Sequence, residues 1–507
     1  MKLFIYLIIN KFFIEIFIFI MNSQTCRLQI NPDILAVQYA VRGKTFLKAQ
    51  EIRSKIKEAK EKGQPNPYPF EDIVFCNIGN PQLLNQKPLT YLRQVLSIVE
   101  DPSLLELKDK YPKDILEHAK KLIDSTGCIG TSGAYTDSRG LMYVRQKICE
   151  FLKETEGGIE TKPEDVYLTD GASPGIKLFL NLLISHHLHG IMIPIPQYPL
   201  YSASIAQFGG TQINYYLNEE DNWAIDLDSV ERSYNEAVKK GIVVKAFVAI
   251  NPGNPTGQVM TLSNMQKIIE FCYKHNLVLM ADEVYQENIY GDVPFTSFRK
   301  ALDTMTEEIK KGLMLVTFFS VSKGFYGECG KRGGFFRMVN IGPFEKEQIY
   351  KLSSVNLCSN VVGQETVELI VNRPKEGDES YPLFKQEKEK ILGDLKMKAN
   401  IIRDALIQCE GITCNPAMGA LYLFPCVKLP KKFIDECDKN GKNPDEEYCL
   451  LMLEKSGVCV VPGNGFGQRE NTHHFRIAFL PPLEAIKNTT DLIQKFQKEF
   501  MDKYRDN

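Results

Sequence analysis

Ser320-Val321-Ser322-Lys323-Gly324-Phe325-Tyr326-Gly327-Glu328-Cys329-Gly330-Lys331-Arg332 follows an apolar run, Leu313 to Phe319, that reads as a buried strand. A lysine just past such a strand, among small residues, stands where α/β sheets place their ligands. Partly desolvated and near other cations, its amine gains the lowered pKa needed to attack a carbonyl and form a Schiff base. The plainer alternative is a solvated surface lysine, in a chain with 61 Lys+Arg. The surrounding sequence decides between them.

Upstream, from about residue 160, strand and helix patterns alternate, which predicts a largely parallel sheet with helices on both faces. Val166 to Thr169 runs into Asp170-Gly171-Ala172-Ser173-Pro174-Gly175 and a helix over 175–185. Gly190 to Ile195 ends in Pro196-Gln197-Tyr198-Pro199, and Val243 to Ile250 in Asn251-Pro252-Gly253-Asn254-Pro255-Thr256-Gly257. Asn276 to Met280 ends in Ala281-Asp282-Glu283-Val284-Tyr285. With the lysine stretch, five apolar strands each finish in an unusual polar cluster. Packing alone gives no reason for that; a ligand site along the C-terminal ends of the strands does.

The clusters suit an aldehyde cofactor with a phosphate and a pyridine ring. Gly171-Ala172-Ser173 at a helix start offers backbone N–H groups and the positive helix end to a phosphate, or is simply a cap. Ser320 and Arg332 can complete that cradle, the arginine through a forked contact. Tyr198 can stack on a flat ring or pack as a buried tyrosine. Asn254 and Tyr285 can hydrogen-bond a phenolate oxygen. Asp282, at the end of an apolar strand, needs a partner for its charge, and a pyridinium nitrogen is one. Arg476 lies inside Phe475-Arg476-Ile477-Ala478-Phe479, where it either pairs with an internal acid or awaits a substrate carboxylate.

The totals agree with an enzyme of this kind. The chain has 507 residues, enough for two domains, with 44% hydrophobic and 24% charged residues. A net charge of −2 gives no general attraction to nucleic acid or acidic membranes. Thirteen scattered cysteines without a CxxC pair point to reduced thiols inside a cell. His186-His187-x-His189 and His473-His474 lack cysteine or carboxylate companions at metal spacing, so no metal is expected.

Residues 1–21 are apolar but interrupted by Lys2, Asn10, Lys11 and Glu15. That falls short of a spanning helix, a signal peptide with a good cleavage site, or an arginine-rich presequence. Translated upstream sequence with Met21 as the true start is expected, with a signal anchor as the alternative. Downstream, Lys44 to Lys62 reads as a helix, Ile73 to Asn77 as a short strand leading into Ile78-Gly79-Asn80, and 88–101 and 112–124 as helices. After about residue 345 we expect a helical region over 345–371, a charged segment over 374–391, a helix over 392–409, and short strands near Thr413 and Leu421 to Phe424. A polar insertion over 430–447, strands over 458–461 and 472–479, and a last helix over 483–502 complete the chain. The expected divisions are 1–21 (extension), 22–89 (N-terminal arm and part of a small domain), 90–345 (large cofactor-binding domain) and 346–507 (small domain).

Asn254-Pro255-Thr256-Gly257, Asp282-x-x-Tyr285, Ser320-x-x-Lys323 and Arg476 together resemble the fold-type I, pyridoxal-phosphate-dependent aminotransferases of class I/II. Asn251 through Gln258, Ser320 through Gly334, Pro462 through Gln468, Tyr39-Ala40-Val41-Arg42-Gly43 and the insertion at 430–447 resemble the alanine aminotransferase branch. The match runs from about residue 31 to the C-terminus.

The resemblance implies an α/β fold with a large, mostly parallel α/β/α sheet domain and a smaller α/β domain. It implies that Lys323 carries the cofactor as a Schiff base and shuttles the proton. Asp282 would pair with the ring nitrogen, Asn254 and Tyr285 with the ring oxygen, and Tyr198 would stack on the ring. Ala172, Ser173, Ser320 and Arg332 would hold the phosphate; Arg476, with the Gly79 backbone, would take the α-carboxylate. Tyr135 resembles a tyrosine that reaches the phosphate in a neighbouring subunit, which implies a homodimer with shared sites. The implied reaction passes an amino group from L-alanine to 2-oxoglutarate, giving pyruvate and L-glutamate. A glutamate–glyoxylate or related aminotransferase is the alternative, and a lyase on the same fold a more distant one. Partners are amino acids and 2-oxo acids, with neither nucleic acid nor membrane. A cytoplasmic place is expected, with mitochondrial or N-terminally anchored placement left open.

Overall fold

The computed structural model describes residues 30–39, 43–127 and 132–505. The extension over 1–21, Ala40-Val41-Arg42 and Gly130-Thr131 lie outside the described residues.

The chain first makes a short strand, β1 (Val74–Phe75), and then the strands of a central sheet: β2 (Val166–Thr169), β3 (His189–Ile195), β4 (Thr211–Asn218), β5 (Ala224–Ile225), β6 (Val243–Ile250), β7 (Val278–Asp282), β8 (Leu315–Ser320) and β9 (Gly334–Val339). Their order across the sheet is β2-β9-β8-β7-β6-β3-β4-β5, eight strands in all. The pairs β3·β4, β3·β6, β6·β7 and β7·β8 are parallel. β9 runs antiparallel to both β2 and β8, and β5 antiparallel to β4. β2 therefore points the same way as β8, and all five strands read from the sequence deliver their C-terminal ends to one edge.

Both faces of this sheet are covered. On β6, Phe247 and Ala249 pack toward the helix Leu262–Lys274 through Met265, Ile268 and Ile269. Ala246, Val248 and Ile250 face the helix Ala172–Leu183 through Ile176, Phe179 and Leu180. Strands buried on both sides read as continuous apolar runs, which is why they stood out. Each fully buried Leu, Ile or Phe contributes about 1.5–3 kcal/mol.

The remainder forms small sheets and long helices: β10 (Ile412–Thr413), β11 (Tyr422–Leu423), β12 (Cys426–Val427), β13 (Val458–Cys459), β14 (Val461–Pro462) and β15 (Phe475–Ala478). β15 lies between β11 and β14, antiparallel to each. β1 pairs in parallel with β13, so the N-terminal segment is built into the C-terminal unit.

Several details differ from the sequence reading. β4 and β9 went unread. The region 345–371 is two helices, Pro343–Val355 and Val361–Val371, and the charged segment 374–391 belongs from Tyr381 onward to the helix Tyr381–Leu406. The polar insertion at 430–447 is a helix, Lys431–Lys439, and the start of another, Pro444–Ser456. Most of its charges are exposed, while Phe433 and Cys437, and Asp445 with them, are buried. Among the described residues no helix is long and apolar enough to cross a membrane.

Candidate active site

A cleft at the C-terminal edge of the central sheet is lined by Gly79, Ala172, Ser173, Tyr198, Asn254, Asp282, Tyr285, Ser320, Lys323, Arg332 and Arg476. Tyr135, expected at the cleft of a neighbouring subunit, is 79% exposed on the surface of the chain. Tyr39, Ser322, Cys329 and Tyr422 line the cleft as well.

Lys323 follows β8 directly. Its Nζ donates to the carbonyl oxygen of Gly79 at 2.9 Å and stands 5.8 Å from the centre of the Tyr285 ring. Gly79 admits no larger residue, because a Cβ there would come within 1.9 Å of Tyr422 Oη and 3.1 Å of Lys323 Nζ.

Asp282 ends β7 and is 4% exposed. Tyr201 Oη donates to its Oδ2 at 2.9 Å, and the Val284 N–H lies 3.4 Å from Oδ1. Burial raises its pKa to about 6, against the hydrogen bonds from Tyr201 and Val284 and the charge of Lys323. A carboxylate held this dry, with no guanidinium or ammonium bonded to it, suits a cationic ring nitrogen.

On the opposite wall, Asn254 Nδ2 donates to Tyr285 Oη at 3.4 Å, and Tyr285 Oη to Tyr422 Oη at 3.5 Å. Burial lifts the Tyr285 hydroxyl well above its usual range. Burial also opposes ionisation of Tyr422, but the Lys323 and Arg476 charges outweigh it and hold that hydroxyl lower than usual. Tyr198 shares a hydrogen bond with Tyr39, Oη to Oη, at 3.1 Å.

The helix Ala172–Leu183 opens the third wall. Its N-cap, Gly171, has φ +89° and gives no side-chain cap, so the first N–H groups are left to face the cleft. A Cβ at Gly171 would lie 2.6 Å from Arg332 Nη2, so the glycine lets the guanidinium close on the helix end. Arg332 is fixed by bonds to the carbonyl oxygens of Asp170 (2.8 Å) and Cys329 (2.9 Å), and Ser320 Oγ accepts from the Ser322 N–H at 3.1 Å. Cation, hydroxyl and open helix end make a cradle for a dianion.

Arg476 comes from β15 and is 1% exposed. Nη1 donates to Asn254 Oδ1 at 3.1 Å and Nη2 to the Asn77 carbonyl at 2.6 Å. The Tyr422 and Phe466 rings lie 4.0 and 4.9 Å from its guanidinium carbon, and Nε is buried without a partner. Neutral oxygens and rings hold the cation in place without neutralising it, which leaves it available to a carboxylate.

Residues that sequence reading missed have plain reasons for escaping it. Tyr422 sits in an apolar strand, where an aromatic reads as core. Ser322 and Cys329 lie within the quoted stretch but carry no spacing signal of their own. Tyr39 gave a motif without a stated role.

The profile described as Aminotransferase class I and II matches residues 106–491. A probable mitochondrial alanine aminotransferase of Dictyostelium discoideum is 47% identical over 481 residues, 94% of this chain and 89% of that protein. Glutamate–glyoxylate aminotransferase 2 of Arabidopsis thaliana is 44% identical over 482 residues, 94% of this chain and 97% of that protein. Among solved structures, an alanine aminotransferase from Pyrococcus furiosus superposes with a TM-score of 0.69 at 23% identity, covering 93% of this chain and all of that one (100%), so the fold is shared. The dry carboxylate, the dianion cradle and the lysine between them fit pyridoxal phosphate. The chain belongs to the class I and II aminotransferases, the enzymes that use this cofactor.

Proposed function

We propose that this enzyme transfers the amino group of L-alanine to 2-oxoglutarate by a ping-pong cycle centred on Lys323. The observation that carries the reading is the position of Lys323 Nζ in one cleft with Asp282, the Arg332 cradle and the unneutralised Arg476. When bound, pyridoxal phosphate supplies an aldehyde that takes up amino groups and a ring that withdraws the electrons left when the α-proton departs.

The chain's residues would divide the work. Arg332, Ser320 and the Ala172–Ser173 helix end hold the phosphate, Asp282 the ring nitrogen, and Asn254 with Tyr285 the ring oxygen; Tyr198 covers the ring. Arg476 grips the substrate carboxylate with a forked contact, helped by the backbone at Gly79. Lys323 anchors the cofactor at rest. Its free Nζ would take the α-proton and return it as a general base and acid.

The alanine branch is supported by the relatives from Dictyostelium discoideum and Arabidopsis thaliana that bear its name, the latter 44% identical. A second reading, glutamate–glyoxylate transfer, is supported by an equally similar relative. One small side chain is worth only about 1–3 kcal/mol in such a pocket. A homodimer with shared sites is supported by the exposed Tyr135, Phe344, Val355 and Leu357. The division near residue 345 is supported by the change from the central sheet to the small C-terminal sheets. The free cysteines support a reducing compartment, cytoplasm or mitochondrial matrix.

The test is to add single amino acids to the cofactor-loaded protein and follow its visible absorbance. L-alanine should convert the resting band and 2-oxoglutarate should restore it. Restoration by glyoxylate alone would select the second reading, and a spectrum indifferent to every L-amino acid would end both.

A further inference from the structure

Away from the cleft, three side chains with metal-binding atoms converge from distant parts of the chain. Glu219 follows β4, Cys426 begins β12 and His474 immediately precedes β15. One ligand atom from each, a carboxylate oxygen, a sulfur and an imidazole nitrogen, lie within 4.8 Å of one another. His474 lacks such companions nearby in sequence; the fold brings them from the central sheet and the C-terminal unit.

The imidazole is held in a defined orientation. His474 is 4% exposed, stacked on Phe424 at 4.8 Å and set edge-on to Trp223 at 5.9 Å. Gln468 Nε2 donates to Asp445 Oδ2 at 2.6 Å, which leaves Gln468 Oε1 facing His474 Nδ1 at 2.9 Å. A carbonyl oxygen only accepts, so Nδ1 carries the hydrogen. Nε2 then points at Glu219 Oε2, 3.1 Å away. Orienting a histidine by a hydrogen bond to its far nitrogen is the usual support for metal ligation. His474 thus stands between two acidic neighbours, the Glu219 carboxylate and the Cys426 thiol, and all three side chains face one point.

We propose that Glu219, Cys426 and His474 form a three-ligand site for a divalent cation of the zinc class, with a fourth position open to solvent. Bond lengths of about 2.0 Å to nitrogen and oxygen and about 2.3 Å to sulfur give tetrahedral edges of about 3.3 and 3.5 Å. The His474 Nε2–Glu219 Oε2 distance of 3.1 Å is already close to the first, while the sulfur must move in from within 4.8 Å to reach the second. A thiolate, a carboxylate and a neutral imidazole carry two negative charges, which match the cation. Binding releases the thiol proton to solvent and changes no oxidation state. The ion would join the end of β4 to the segment leading into β15 and so brace the strand that carries Arg476.

The test uses the full-length, cofactor-loaded enzyme, stripped with a chelator and titrated with Zn²⁺ alone against a chromophoric competitor. One tight site per chain is expected, with thermal unfolding shifted upward on loading. Cys426→Ser and Glu219→Gln should each weaken that site by at least about 100-fold, and Gln468→Leu by about 10–100-fold. Cobalt(II) in the parent should give a sulfur-to-metal absorption that Cys426→Ser lacks. Circular dichroism and alanine turnover of the unloaded variants establish that they fold. A parent that binds no stoichiometric Zn²⁺, leaving a bare ion pair, would overturn the proposal. So would a tight site undiminished in both Cys426→Ser and Glu219→Gln.

Discussion

Arg476 carries its guanidinium carbon over the ring of Tyr422, 4.0 Å from the ring centre. The two come from neighbouring strands, β15 and β11, so the sheet itself sets their contact. A desolvated cation–π contact of this kind is worth about 2 kcal/mol. Tyr422→Leu should therefore raise KM for L-alanine by about 30-fold. Tyr422→Phe keeps the ring and should leave KM near that of the parent. Steady-state kinetics on both variants checks this, and equal loss in both would move the effect from ring to hydroxyl.

Arg476→Ala should remove the proposed carboxylate grip and leave Asn254 Oδ1 and the Asn77 carbonyl without their donor. The expected loss in kcat/KM corresponds to about 2–5 kcal/mol. Amines lacking a carboxylate should react equally poorly with parent and variant, and that comparison isolates the grip from general damage.

Lys323→Ala should lower single-turnover transfer from L-alanine by about 10²–10⁴-fold or more, the range of a lost acid–base group. Far-UV circular dichroism should be unchanged, since among the described residues Nζ hydrogen-bonds only the Gly79 carbonyl. Turnover preserved in this variant would remove Lys323 from its role.

Asp282 predicts a pH dependence with a definite sign. Burial pushes its carboxyl up to about 6, above the ordinary aspartate range near 3.8, so the folded cofactor-free protein binds more protons than the unfolded chain in that interval. The Asp282 contribution to the stability of the cofactor-free protein should thus fall as pH rises from about 4 to about 6 and then stay level. The span corresponds to about 3 kcal/mol. In urea unfolding Asp282→Asn should remove that contribution and leave the slope due to Glu283 and Glu365, which burial raises to about 8. Cofactor affinity should move the other way, rising through about pH 6 in the parent as the carboxylate ionises, and not in the variant.

Arg337 and Glu156 form a buried two-pronged pair, with contacts of 2.5 and 2.8 Å and side chains 1% and 4% exposed. Arg337→Met strands the carboxylate and should cost about 3–5 kcal/mol in urea unfolding. Adding Glu156→Gln should recover much of that loss, because the orphaned charge goes with it.

Much of the cleft was legible because the strands that bear it are buried on both faces and run into polar clusters, among them Asp170-Gly171, Asn251-Pro252 and Asp282-Glu283. β4 escaped because Gln212 and Asn214 break its apolar run near the sheet edge. β9 escaped because Arg337 interrupts it, and only its pairing with Glu156 makes a charge tolerable there. The helix from Tyr381 hides behind its solvent-facing charges, which a linear reading takes for a loop. Asp282, Lys323 and Arg476 betrayed themselves as charges beside or within apolar strands. Tyr422 and the Glu219–Cys426–His474 cluster did not, since what matters in each is a neighbour supplied by folding.

The parallel pairing of β1 with β13 has a consequence for how the enzyme comes off the ribosome. Ala172 through Arg332 is synthesised before β13 exists, so the phosphate cradle and the lysine can assemble while the carboxylate grip is still unmade. Arg476 and the strand partner of β1 emerge last, and closing a contact between such distant segments is slow. The cleft is therefore complete only when segments from both ends of the chain have met, and a truncation at either end takes part of it away.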